Sequence, residues 1–198
     1  LIVRSDQEPA IMSVVHEIGR LRAAVGGGKY IVENSPVKSS ESNGIVERAI
    51  QSVGAQVRVL KLAVEKRWGV LVPHKHPLIP WMVEYAGLLL NRCEVSHDGK
   101  TSYERLKGKR ARTLGLEFGE AILWRTRPRT GPLGKFDTLW DDGVYLGVRG
   151  KSGEISVGTK AGVWKTRTVR RKPLEDRWGL GSVDGVLHVP WRTSETDT

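Results

Sequence analysis

Two acidic positions carry the chemistry this chain could do. Asp6 lies in Arg4-Ser5-Asp6-Gln7-Glu8-Pro9, and Glu47 lies in Ser42-Asn43-Gly44-Ile45-Val46-Glu47-Arg48-Ala49-Ile50. Forty residues separate them. Carboxylates at the mouths of neighbouring elements can hold divalent cations, and a pair of such cations drives in-line attack at phosphate. Taken singly, each has a plainer reading as negative charge in a helix's first turn, where it complements the macrodipole. A second set is basic. Arg125, Arg127, Arg129 and Lys135, then Lys165, Arg167, Arg170 and Arg171, are candidate phosphate contacts, with Trp124, Trp140 and Trp164 interleaved. Arg125, Arg127 and Arg129 are two apart and share one face if their strand continues. The tryptophans read as the core of a small β domain. Contacts from the arginines would be to phosphate backbone and largely blind to sequence.

The elements that must position these groups follow from periodicity. Residues 1–4 read as a strand, and Pro9 suits the first turn of a helix. Ile11, Val14, Val15, Ile18 and Leu21 recur at helical spacing to about Ala24, and three glycines, 26–28, end the helix. A short strand is expected over 29–33, then a polar, mobile loop from Asn34 to Ser42. From Gly44 a long helix runs to about Trp68, with Val46, Ile50, Val53, Val57, Leu60 and Val64 as its buried stripe. Glu47 falls about a quarter turn from that stripe at about 100° per residue. Gln51 and Arg58 lie on the same flank, and Lys38, Asn43, Arg48, Gln51 and Arg58 join the candidate DNA contacts. A second apolar helix is expected over 81–93, then a short one capped by Thr101 or Ser102. Past Gly115 the period becomes two: strands over 121–127, 144–148, 155–157 and 163–171, with a loop over 129–142. From Pro173 the chain is acidic and glycine-rich, as in a flexible tail or linker.

Composition narrows the classes. The 198 residues carry 39% hydrophobic and 27% charged side chains, enough for a core and for solubility. No apolar run approaches a membrane span. There is no signal peptide, and the first residue is Leu1, as in a piece of a longer chain. The single cysteine, Cys93, excludes a disulfide framework and suits a helix core. Net charge is +10, and 17 of the 32 Lys and Arg fall in residues 101–172. Such a surface attracts a polyanion, nucleic acid first, although a solvated basic surface without a specific partner has the same composition. His74-Lys75-His76 lacks a cysteine pair and is not read as a zinc site. Gly26-Gly27-Gly28-Lys29 lacks the Ser or Thr of a phosphate-binding loop.

Several stretches, in order, resemble the integrases of copia-type long-terminal-repeat retrotransposons over roughly residues 1–172. Arg4-Ser5-Asp6 resembles the segment bearing their second catalytic aspartate, and Asn43-Gly44-Ile45-Val46-Glu47-Arg48 the segment bearing the catalytic glutamate. Leu89-Leu90-Asn91-Arg92 and Gly99-Lys100-Thr101-Ser102-Tyr103-Glu104 resemble the helix and turn after the core, and Gly143-Val144-Tyr145-Leu146-Gly147 a strand of the following β domain. The resemblance implies an α/β (α+β) architecture. Residues 1–114 would be the later part of an RNase H-like core, 119–172 a small, basic, antiparallel SH3-like β-barrel, and 173–198 the tail. It implies Asp6 and Glu47 as catalytic ligands of two Mg²⁺ or Mn²⁺ ions, with DNA 3′-end processing and strand transfer. It further implies element-end and target DNA as partners, a homo-oligomer, the remainder of a polyprotein, no membrane, and nuclear action. The chain departs from the family in lacking the first catalytic aspartate with its strands, in carrying Gln7-Glu8 after Asp6, and in a longer loop before Glu47. Alone it is therefore not expected to be competent. The alternative is a decayed or repurposed module that binds nucleic acid without catalysis. With little sheet to pack on, the first half is expected to be loosely held.

Overall fold

The computed structural model describes residues 1–5, 8–34, 44–112, 115–126, 136, 138–150, 152–179 and 185–193. The chain is mixed α and β. It divides into two compact units, Leu1–Ser52 and Val53–Thr198.

In the first unit β1 (Ile2–Ser5) leads through α1 (Pro9–Ala24) to β2 (Ile31–Asn34). The strands pair in parallel, Ile2 opposite Ile31 and Ser5 opposite Asn34. Parallel neighbours need a crossover, here a helix. Pro9 starts α1, where its missing N–H has no partner to lose. Gly26 ends it at φ 66°, a left-handed conformation that glycine adopts without strain. Gly19 lets α1 lie against Tyr30, since a Cβ there would stand 3.0 Å from the ring. The Tyr30 hydroxyl donates to the Val15 carbonyl at 2.7 Å. Among the described residues Val15 is the one buried apolar side chain of this unit, while Ile11, Val14, Ile18 and Leu21 of the same helix stay exposed. Parallel sheets are normally covered on both faces, and two strands offer too little surface to bury such a stripe.

The long helix α2 (Gly44–Trp68) has the expected bounds. Its stripe is buried in a gradient: Val46 and Ile50 are 57% and 66% exposed, Val53 and Val57 pack at the core's margin, and Leu60, Val64 and Trp68 are buried. The expected continuous buried stripe is thus corrected for its first two turns. Gly69, at φ 71°, ends the helix, and the Glu65 carboxylate accepts the Val72 N–H at 2.8 Å, folding the chain back. Next come α3 (Leu78–Cys93) and α4 (Ser102–Lys107). Thr101 caps α4 in a reciprocal box with Glu104. Cys93, in the last turn of α3, is exposed and not a core residue.

Strands β3 (Ala121–Arg125), β4 (Trp140–Val148), β5 (Ile155–Thr159) and β6 (Gly162–Thr166) form a meander, and β7 (Val169–Arg171) returns beside β3. The order is β6-β5-β4-β3-β7, antiparallel throughout. Laid flat, the end strands would stand about 19 Å apart at about 4.8 Å per step. The link between them, Arg167 and Thr168, reaches about 10 Å at most, so the sheet must curl. Trp124 and Trp164 show the curl directly. Two strands separate theirs, yet their rings stack at 5.7 Å. Gly143 clears the inside of the bend, where a Cβ would collide with Val157.

The curl stops short of closure, because β6 and β7 are the two ends of the sheet and do not pair with each other. The expected closed barrel is corrected to a curled open sheet. The chain turns between the end strands, with Thr168 N–H donating to Thr166 Oγ1 at 3.3 Å, and this also splits the single strand expected over 163–171. The Val163 N–H of β6 donates instead to the Thr193 carbonyl at 2.8 Å.

One hydrophobic cluster joins the later part of α2, α3 and both β3 and β4–β5. That cluster runs across residue 114, and the division between the two units falls inside α2. The described part of the expected free tail belongs to this unit as well. Val186 is fully buried, the Trp81 indole N–H donates to the His188 carbonyl at 2.7 Å, and the Arg67 guanidinium lies 4.5 Å over the Trp178 ring. Net acidity concealed these few apolar and aromatic anchors.

Candidate nucleic-acid interface

Of the sequence-derived site residues, Asp6, Lys38, Asn43, Arg127, Arg129 and Lys135 lie outside the described residues, as does the loop expected to be mobile. The parallel register sets the ends of β1 and β2 side by side at Ser5 and Asn34, with Asp6 next in sequence after Ser5. Glu47 stands exposed in the first turn of α2, and Arg48, Gln51 and Arg58 are exposed along the same helix. Among the described residues no three His, Cys, Asp or Glu side chains gather where they could hold a metal ion. Glu47 alone does not make a seat for two Mg²⁺ or Mn²⁺ ions.

The basic strands are fully legible. Residues directly opposite in an antiparallel ladder share a face, and successive residues alternate. Ile122, Trp124 and Val157 therefore line the inside of the curl, together with Val169 and Arg171, which stand opposite Trp124 and Ile122. Arg125, Trp140, Leu123, Asp142 and Arg170 occupy the outside. The neighbours Arg170 and Arg171 thus point to opposite sides. Arg171 meets Glu120, which is fully buried, through two bonds, Nε to Oε1 at 2.5 Å and Nη2 to Oε2 at 2.9 Å. The Glu120 carboxylate holds the Arg171 pKa above its usual value. Arg177 approaches the same carboxylate at 3.5 Å, and the Glu117 N–H donates to it at 3.0 Å. A buried carboxylate is tolerated only with such partners. Arg171, a candidate phosphate contact, is thus engaged by a buried carboxylate while its side chain stays 38% exposed. The alternation that sends it inward cannot be read before the register of β7 is known.

Arg170 lies on the outer face with its guanidinium 4.5 Å over the Trp140 ring. The core reading of the three tryptophans holds for Trp124 and not for the other two: Trp164 stacks on Trp124 but is 37% exposed, and Trp140 is half-buried outside the hydrophobic cluster. Arg125, directly opposite Trp140, is exposed. Lys172 forms an ion pair with Asp142, which removes that carboxylate from competition for Arg125 and Arg170. Lys165 is exposed on the outer face of β6, and Arg167 in the link stands 3.9 Å from Glu154. Sequence reasoning missed Glu120, Arg177 and Lys172. The first two carry no motif, and Lys172 would have been found by counting two residues on from Arg170.

No family model and no curated protein matches this sequence. Among the described residues no helix is long and apolar enough to cross a membrane.

Proposed function

We propose that this chain is the later part of a copia-type integrase. In this reading Asp6 and Glu47 contribute to a two-metal pocket completed by a carboxylate elsewhere, and the curled sheet grips DNA backbone. The observation that carries the reading is the β1–α1–β2 unit. Its parallel register brings the two strand ends together where the Asp6 segment leaves β1, and ligands bind at the carboxyl ends of parallel strands. In this reading the first unit is the later part of an RNase H-like core. The strand order of the second unit, a four-stranded meander with the fifth strand beside the first, supports reading it as an SH3-like domain. The test is Mg²⁺-dependent strand transfer by the full-length protein that carries this sequence. Glu47→Gln and Asp6→Asn each abolish it while DNA affinity stays within about twofold. Strand transfer that survives Glu47→Gln overturns the assignment.

A second reading has its own support in the Arg125, Trp140 and Arg170 surface: a module that binds nucleic acid without catalysis. It gives salt-dependent DNA binding that ignores Asp6→Asn and Glu47→Gln and needs Arg125 and Arg170. Affinity that stays flat between low and moderate salt rejects it, since each phosphate contact released adds to the salt slope.

A further inference from the structure

We infer that the open half of the sheet's outer face is a stacking platform for an unpaired nucleotide, the base on Trp140 and Arg170 and its phosphate on Arg125. This rests on the DNA-binding reading above and narrows it from duplex backbone to single strand. Three observations carry it. First, the two halves of the outer face differ. Where β4 meets β5, Gly158 lies under Val186 and Leu146, so close that a Cβ there would be 3.0 Å and 3.1 Å from them. Around Arg125, Asp142 and Arg170 the face is exposed. Second, that open half carries an indole that is only partly buried and outside the curl, where packing against Trp124 is out of reach. A grip on duplex backbone needs cations and has no use for an indole, whereas an unpaired base offers a flat π-face that stacks on aromatic rings and on guanidinium planes. Third, the planes are already arranged. Arg170 is held over Trp140 at 4.5 Å and is itself exposed, so a further flat group can extend the stack. Asp142, the nearest acid on this face, is engaged by Lys172. Arg125 stands across the ladder from Trp140, one strand spacing of about 5 Å away, within reach of the phosphate of a nucleotide stacked there. An acidic peptide would satisfy the arginines and leave the ring plane unused, which is why the nucleic acid is the better fit.

The experiment compares a labelled oligothymidine with a labelled duplex of equal length, by fluorescence anisotropy on the full chain and its variants. Trp140→Leu weakens oligothymidine binding by about 5- to 100-fold, the range expected for one stacked base. Its duplex affinity changes by less than about twofold, and its salt slope on the oligothymidine is unchanged. Trp140→Phe keeps most of the binding. Arg125→Ala lowers the single-strand salt slope by about 0.7, the loss of one phosphate contact. Arg170→Lys, which retains charge and loses the plane, follows Trp140→Leu and decides the matter should that variant fail to fold. Equal loss on both ligands, or no loss on oligothymidine, overturns the inference. So does an acidic peptide that displaces oligothymidine from wild type but not from Arg125→Ala. Duplex binding without single-strand binding removes the inference and leaves the DNA reading standing, whereas binding of neither removes both.

Discussion

Arg171→Ala leaves the Glu120 carboxylate fully buried with its main counter-charge gone. Two partners remain, Arg177 at 3.5 Å and the Glu117 N–H at 3.0 Å. Breaking a buried pair from one side costs about 3–5 kcal/mol. The Arg171 side chain is 38% exposed, so the pair is not fully desolvated, and the remaining partners offset part of the loss. Both effects bring the cost below that range, to about 1–2 kcal/mol. With a urea m-value of about 2 kcal/mol/M, the midpoint falls by about 0.5–1 M. All seven tryptophans lie between Trp68 and Trp191, so intrinsic fluorescence follows the second unit alone. The neighbouring Arg170→Ala is the control, since it forfeits only a cation–π contact of about 0.5–1 kcal/mol at an exposed site. In DNA binding the two exchange roles: Arg170→Ala loses affinity and Arg171→Ala does not. Glu120→Gln added to Arg171→Ala recovers part of the stability, because no uncompensated charge is left inside. Equal midpoints for the two arginine variants, or a double variant less stable than Arg171→Ala, would refute the reliance of buried Glu120 on Arg171.

Two further outcomes follow from the same geometry. Gly143→Ala places a methyl group against Val157 and 3.1 Å from Trp124 Cδ1, and overpacking of this kind destabilises by about 1–3 kcal/mol. A thermal midpoint within error of wild type would show that the inside of the curl is not filled. Asp98 is held well below the usual carboxylate range, at about 2, chiefly by its hydrogen bonds from Arg105, with the Lys100 N–H adding to this. A lowered folded pKa means that its contribution is fully present above the unfolded value of about 3.9. That contribution fades as pH falls towards about 2. Carbon-detected NMR titration of Asp98 checks this, and an Asp98 midpoint unchanged by Arg105→Ala would contradict it.

The parts of this fold that could be read from sequence are those whose signal is local. Pro9 and Gly26 bracket α1, Gly44 and Trp68 bound α2, and Thr101 with Glu104 caps α4, because capping and helical period act within a few residues. What could not be read depends on pairing between distant strands. Which of Arg170 and Arg171 stands on the outer face and which reaches Glu120 turns on a one-residue register, and one slip would exchange them. Closure of the sheet turns on whether a two-residue link lets β6 and β7 pair, and alternation along each strand is silent on that. The tail was misread for a different reason. Composition averaged over 173–198 gives acidity, whereas docking depends on a few residues, Trp178, Val186 and the His188 carbonyl. The candidate site divides the same way. Asp6 and Glu47 were visible as motifs, and of the two the structure describes Glu47, exposed in the first turn of α2. The Trp140 and Arg170 stack had no motif at all, because its members are thirty residues apart and meet only across β3. A surface built from cross-strand neighbours becomes visible once register is fixed, and here that surface sets an exposed guanidinium over a half-buried indole.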